Sequence, residues 1–226
     1  STLNSLKKVI KFLKTFKKSK KIKIIYCPPN TLIDLMTKKF LKTRIEVGAQ
    51  NCHQSLSYAP LTGSINPSML KSVGAKYVII GHSENRQAGE TDKLINLKVK
   101  TAIKSGLKVI FCIGETLGHK RKKITKRILL RQIKLGLDKV QKKNIIIAYE
   151  PVWSIGTGII PKSDELLKTI DFIKNKLKNN KVLYGGSVNP KNIRDLKSIK
   201  NIDGFLIGGA SQEPKKFIDI IKKTYN

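Results

Sequence analysis

Residues 145–161 read IIIAYEPVWSIGTGIIP. The β-branched run 145–149 leads into a carboxylate, Glu150, then a rigid Pro151-Val152-Trp153 step, then a glycine-rich segment. A short run apolar at every position suits a strand buried on both faces, as in parallel sheets. Glu150 then stands at the strand's C-terminal end, the edge where parallel α/β folds carry their reactive groups. Residues 154–158, SIGTG, have the small side chains of a mobile lid. A base at a strand end beside a lid points to chemistry that must be shielded from water.

Outward from this stretch the chain alternates regularly. Candidate strands lie at 23–26, 45–50, 77–80, 109–113, 145–149, 181–184 and 204–207. Helical patterns lie at 3–16, 32–42, 67–72, 92–105, 120–142, 164–178, 191–196 and 214–222. Strands alternating with helices of this length make βα units and a parallel sheet. The evenness of the alternation favours a closed α/β barrel of the (β/α)8 type over an open doubly wound sheet. No linker or low-complexity segment interrupts it, so residues 1–226 are read as one domain. The reading counts seven strands where the closed barrel needs eight, and the chain opens on a helix at Ser1 rather than on Met. The first strand is therefore expected to be missing, which would leave exposed strand edges.

The net charge of +31 comes from 46 Lys+Arg against 15 Asp+Glu, and only six of the basic residues are Arg. Such a charge raises nucleic acid or an anionic membrane as partners. The lysines are spread over the whole chain among many Ile and Asn, with no nucleic-acid module, so compositional drift explains them better. No apolar run is long enough to span a bilayer, and the amphipathic stripe Leu3, Leu6, Ile10, Leu13 and Phe16 reads as a docked helix rather than an anchor. Neither nucleic acid nor membrane is expected. Cys27, Cys52 and Cys112 have no metal-ligand spacing, so no metal site is expected. Scattered cysteines in odd number fit a reducing cytoplasm.

Seven segments, in order, resemble the triosephosphate isomerase family. They are VGAQNC at 47–52, the Thr62-Gly63 turn, GAKYVIIGHSENR at 74–86, CIGETL at 112–117, AYEPVWSIGTG at 148–158, YGGSVNP at 184–190 and DGFLIGGAS at 203–211. The resemblance covers nearly the whole chain. It implies a (β/α)8 TIM barrel that interconverts dihydroxyacetone phosphate and glyceraldehyde 3-phosphate in glycolysis and gluconeogenesis, with no cofactor.

The residue types fit that chemistry. Moving a proton between adjacent carbons needs a base beside the carbon, an acid beside the oxygen and a holder for the phosphate. The resemblance implies Glu150 as the base. It implies His82 as the electrophile, a neutral imidazole whose pKa is lowered by a following helix N-terminus. Glu84 is assigned a catalytic place, either ordering the site through hydrogen bonds or taking part in proton transfer, of which the supporting role is favoured. His53 and His119 lack such a context and are read as structural. Backbone N–H groups at glycine-rich turns hold a phosphate well, and the turns after the last two strands carry Ser187, Gly208 and Gly209. Gly156 of the lid is implied to add one more N–H. The long loop 50–64 is implied to insert into a second copy, with Thr62 reaching that copy's active site, which makes the protein a homodimer.

Three departures from the family stand out. The Asn-x-Lys pair at the end of the family's first strand has no counterpart here, so the chain as written is expected to be weakly active or inactive, because a localised oxyanion needs a placed cation. Ser64 and Asn85 replace a Glu and an Arg that pair in the family. Ile159-Ile160-Pro161 ends the lid, and Pro161 fixes one backbone angle there. Two other readings stay open: a basic barrel that binds nucleic acid, and a different phosphate-binding barrel isomerase.

Overall fold

The computed structural model describes residues 7, 9–13, 22–56, 60–178 and 180–225. The chain divides into two compact units. Unit one comprises Ser1–Phe12, Cys112–Gln132 and Ile146–Asn226; unit two comprises Leu13–Phe111 and Ile133–Ile145.

Unit two is built on parallel strands β1 (Ile25–Tyr26), β2 (Glu46–Ala49) and β3 (Tyr77–Ile80), and on most of β4 (Lys108–Ile113). The register pairs Tyr26 with Val47, Gly48 with Tyr77 and Ile80 with Phe111. Every residue of β3 is buried, as are all but the first of β4. Such continuous burial requires apolar side chains at odd and even positions alike. Helices α1 (Ile33–Phe40), α2 (Pro67–Ser72), α3 (Ser83–Gln87) and α4 (Asp92–Lys104) connect these strands. Their starts have local causes. The Asn66 side chain accepts from the Met69 N–H at 2.9 Å, with Pro67 as the first helical residue. Thr91 Oγ1 accepts from the Leu94 N–H at 3.2 Å.

Unit one carries parallel strands β5 (Ile145–Tyr149, all but its first residue), β6 (Val182–Tyr184) and β7 (Gly204–Phe205). Tyr149 pairs with Tyr184, and Tyr184 with Phe205. The strand–helix alternation continues with α5 (Leu117–Arg121), α6 (Thr125–Gly136, whose residues from Ile133 on belong to unit two), α7 (Ser163–Lys176), α8 (Ile193–Ser198) and α9 (Pro214–Tyr225).

The expected strands and helices recur, most with ends shifted by one to three residues. The expected helix at 3–16 is helical at residue 7 and over 9–13; its other residues lie outside those described. The expected helix at 120–142 is corrected: it is two helices, α5 and α6, followed by irregular chain and a single 3-10 turn, Lys142–Asn144. Lys123 takes a left-handed φ of 57° and ends α5, and Lys139 does the same beyond α6 at 53°. The end of α6 is set by packing. A Cβ on Gly136 would lie 2.5 Å from Phe111 Cζ, and the Asn96 amide donates to the carbonyls of Gly136 and Asp138 at 3.1 and 3.0 Å. No helix among the described residues is long and apolar enough to cross a membrane.

Candidate functional site

Glu150 follows β5 directly and is 2% exposed. Its N–H donates to the Ile113 carbonyl at the end of β4 at 2.8 Å, and Val152 N–H donates to the Glu115 carbonyl at 3.0 Å. Two glycines make room for it. A Cβ on Gly114 would lie 1.7 Å from the Glu150 carbonyl oxygen, and one on Gly185 would lie 2.9 Å from Glu150 Cγ. Gly114 is also held by Gln132, whose amide accepts its N–H at 2.9 Å and donates to its carbonyl at 3.0 Å.

A second buried carboxylate, Glu115, is 1% exposed. It accepts from Trp153 Nε1 at 2.8 Å and from Tyr149 Oη at 3.1 and 3.2 Å. Tyr149 and Trp153 bracket Glu150 in sequence, so the Glu115 carboxylate holds a side chain on either side of it. Lys120 Nζ lies 3.8 Å from the Trp153 ring centroid and pairs with Glu165 at 2.9 Å in the first turn of α7. Sequence reading gave Glu115 and Lys120 no role. Glu115 lies in the quoted CIGETL segment, but only folding brings it to Tyr149 and Trp153.

Burial pushes the Glu115 carboxyl above the usual glutamate range, against the pull of its bonds from Trp153 and Tyr149 and the charge of Lys120. A raised carboxyl means that the folded state holds this proton more tightly than the unfolded chain does. The group therefore lowers stability as pH rises from the ordinary glutamate value of about 4.3 through its folded value. Glu115→Gln removes that slope. Thermal unfolding from mildly acidic to neutral pH is expected to show the variant's melting temperature gaining on the parent's as pH rises. A constant difference across the range defeats the expectation.

The lid candidate follows. Gly156 and Gly158 have φ of 70° and 78°, backbone open to glycine above all other residues. Ser187, after β6, donates from Oγ to the Ser154 carbonyl at 2.6 Å and accepts from the Gly158 N–H at 3.0 Å. Gly208 and Gly209, after β7, are exposed and open a 3-10 turn at Gly209–Gln212. A Cβ at either would meet nothing within 4 Å. Because β5, β6 and β7 are parallel neighbours, Glu150, Gly156, Ser187 and the Gly208-Gly209 pair all follow the C-terminal ends of adjacent strands. Within unit one the fold thus gathers the sequence's carboxylate, lid and turn candidates on one edge.

In unit two, His82 follows the C-terminal end of β3 through Gly81, whose φ of 78° makes the sharp turn. His82 is the N-cap of α3: its Nδ1 accepts from the Glu84 N–H at 3.4 Å. An accepting Nδ1 leaves the proton of a neutral imidazole on Nε2. The Glu84 side chain is 83% exposed, its carboxylate 3.7 Å from His82 Nδ1. Arg86 fastens the turn, donating to the Gly81 carbonyl and to Asp92, each at 2.7 Å. Thr62 lies at an exposed turn closed by Ser64 N–H donating to the Leu61 carbonyl at 2.9 Å; residues 57–59 of that loop lie outside those described. His53 and His119 accept local backbone N–H groups, from Ser55 at 3.1 Å and Thr116 at 3.3 Å. Among the described residues no three His, Cys, Asp or Glu side chains are grouped to hold a metal ion.

Comparison with known proteins gives one family. The family model for triosephosphate isomerase matches residues 1–224. The triosephosphate isomerase of Zygosaccharomyces bailii is 41% identical over 231 residues, covering 97% of this chain and 92% of that protein. That of Thermodesulfovibrio yellowstonii is 43% identical over 205 residues, covering 86% and 83%. The crystal structure of triosephosphate isomerase from Bartonella henselae superposes with a TM-score of 0.90 at 34% identity, covering 100% of this chain and 95% of that one. The fold is accordingly an α/β TIM barrel, seven of whose parallel strands lie among the described residues.

Proposed function

Since the chain belongs to the triosephosphate isomerase family and is an isomerase, we propose that Glu150 is the base and His82 the electrophile of its proton transfer on a triose phosphate. Glu150 takes a proton from the hydroxyl-bearing carbon of dihydroxyacetone phosphate. The electron pair moves to the neighbouring carbonyl, and the His82 Nε2–H steadies the oxygen as negative charge develops there. The enediolate then regains the proton from Glu150 at the second carbon, while the hydroxyl proton on the first carbon's oxygen passes to the second carbon's oxygen by way of His82, so that the first carbon becomes the aldehyde of glyceraldehyde 3-phosphate.

The observation that carries this reading is the buried Glu150 carboxylate at the C-terminal end of β5. The accepting Nδ1 of His82 supports a neutral imidazole. Glu84 serves through its N–H, which sets the orientation of that ring. The Gly156 N–H of the lid, Ser187 and the Gly208-Gly209 turn receive the phosphate, whose negative charge suits backbone donors at turns. The exposed Thr62 turn meets a second copy of the chain in a homodimer, and the domain is a single barrel working in the cytoplasm, where its cysteines stay reduced.

A coupled assay of dihydroxyacetone phosphate conversion tests this. It is run on the chain and on a version preceded by a family-like first strand carrying Asn-x-Lys. Turnover in either, with a solvent deuteron incorporated at carbon, is the expected result. A folded extended protein without isomerisation overturns it.

A further inference from the structure

Helices α8 and α9 are neighbours within unit one, and each spends one side on the core: Ile193 and Leu196 of α8 and Ile220 and Ile221 of α9 are buried. The positions that follow are turned to the side of that core. They are Arg194 and Lys197 on α8, and Lys222 and Lys223 on α9. Together with Ser198 these four cations line a cleft of about 410 Å³. No acidic or apolar residue lines it; Asp195 and Asp219, on the same two helices, are not part of its wall. Lys223 Nζ donates to the Pro190 carbonyl, in the turn before α8, at 2.6 Å. Lys222 Nζ lies 5.8 Å from the Phe12 ring centroid. Arg194 and Lys197 are exposed and have no ion-pair partner among the described residues. Basic residues near helix C-termini offset a partial negative charge of about half a unit per helix. The two helix ends therefore account for about one of the four positive charges. The others converge in a concavity, where low-dielectric walls focus their field on an anion.

We propose that this cleft binds the linked phosphates of a small polyphosphate. Its volume is that of a small-ligand site, about 300–1,000 Å³. Its wall recognises charge alone. Arg194 supplies a planar fork that takes two oxygens of one phosphate, the three lysines supply point charges, and Ser198 supplies a hydroxyl. No lining side chain is aromatic or apolar, so nothing there buries a base or a hydrocarbon chain. A single phosphate engages only part of such a wall. Linked phosphates meet cations from both helices for one loss of translational freedom. None of the lining residues belongs to the triose phosphate site.

The test is isothermal titration calorimetry of the full chain with tripolyphosphate, orthophosphate and ATP, in metal-free buffer with saturating glycerol 3-phosphate to fill the triose phosphate site. Tripolyphosphate is expected to bind once per chain, about tenfold or more tighter than orthophosphate. ATP separates the two sources of linked phosphates. Equal affinity means that the cleft accepts them free or on a nucleoside; weaker ATP binding means that it takes the free inorganic form. ATP bound more than about tenfold tighter than tripolyphosphate means that the nucleoside is read, and overturns the proposal. Replacing Arg194 and Lys197 together (Arg194→Gln, Lys197→Gln) is expected to weaken tripolyphosphate about tenfold or more. The pair Lys39→Gln and Lys42→Gln, exposed at the end of α1, removes the same charge elsewhere and should leave binding within twofold of the parent. Equal weakening in the two double variants means general attraction to a basic protein, and overturns the site. So does the absence of tripolyphosphate binding once glycerol 3-phosphate is bound. If the α8 double variant does not fold, Lys197→Gln alone is compared with Lys39→Gln, and a weakening confined to Lys197→Gln is the expected result.

Discussion

Glu150→Gln is expected to lower kcat for triose phosphate isomerisation by about 10³-fold, within the range that a positioned general base contributes, while leaving the fold intact. Glutamine has the same shape and keeps the packing against Gly185, but it has no basic oxygen to take a carbon-bound proton. The loss should fall on kcat rather than KM, because the proton is abstracted only in the transition state. Incorporation of solvent deuterium at the substrate carbon should fall in parallel. A variant that keeps more than a tenth of the parent's kcat removes Glu150 from the role of base.

Gly114→Ala has the second largest expected effect, although residue 114 touches no substrate. The new methyl would lie 1.7 Å from the Glu150 carbonyl oxygen, and that neighbour is backbone, not the end of a flexible side chain. Gln132 hydrogen-bonds both polar groups of Gly114, so a retreat of residue 114 would strain those bonds. The strand ends must therefore part, and Glu150 moves with its own backbone. Overpacking of this kind costs about 1–3 kcal/mol or more, and a displacement of about 1 Å at a reacting group costs roughly 10²-fold in rate. Chemical denaturation together with kcat/KM should show both losses. Unchanged activity in a destabilised protein would mean that the strand ends absorb the methyl without moving the carboxylate.

Much of this arrangement was legible in the chain because its signals are local. The run 145–149 and the run 77–80 are apolar at every position, and both became strands with those bounds. The helix at 67–72 begins after Asn66 with Pro67 and has the expected ends, since a cap and a proline act within a few residues. The place of Glu150 and of His82 follows in the same way: each comes directly after a strand or one glycine beyond it. The helix expected at 120–142 failed for a complementary reason. Its lysines and leucines keep helical spacing, but the break at Lys123 and the stop at Gly136 answer to a left-handed turn and to the face of Phe111, which periodicity does not register.

What the sequence by itself determined is the order of elements, the buried parallel strands and the types of group at their ends. Patterning, caps and glycine punctuation depend on neighbours close along the chain, and they can be read without a fold. Only the tertiary structure decided how those groups are held. Glu115 meets Tyr149 and Trp153 across 34 and 38 residues, Gln132 meets Gly114 across 18, and Ser154 meets Tyr184 across 30. Contacts of this kind depend on which side chains the strand register brings within hydrogen-bond reach. Which distant side chains meet is decided only when the whole sheet and its helices pack, because these partners lie far apart along the chain.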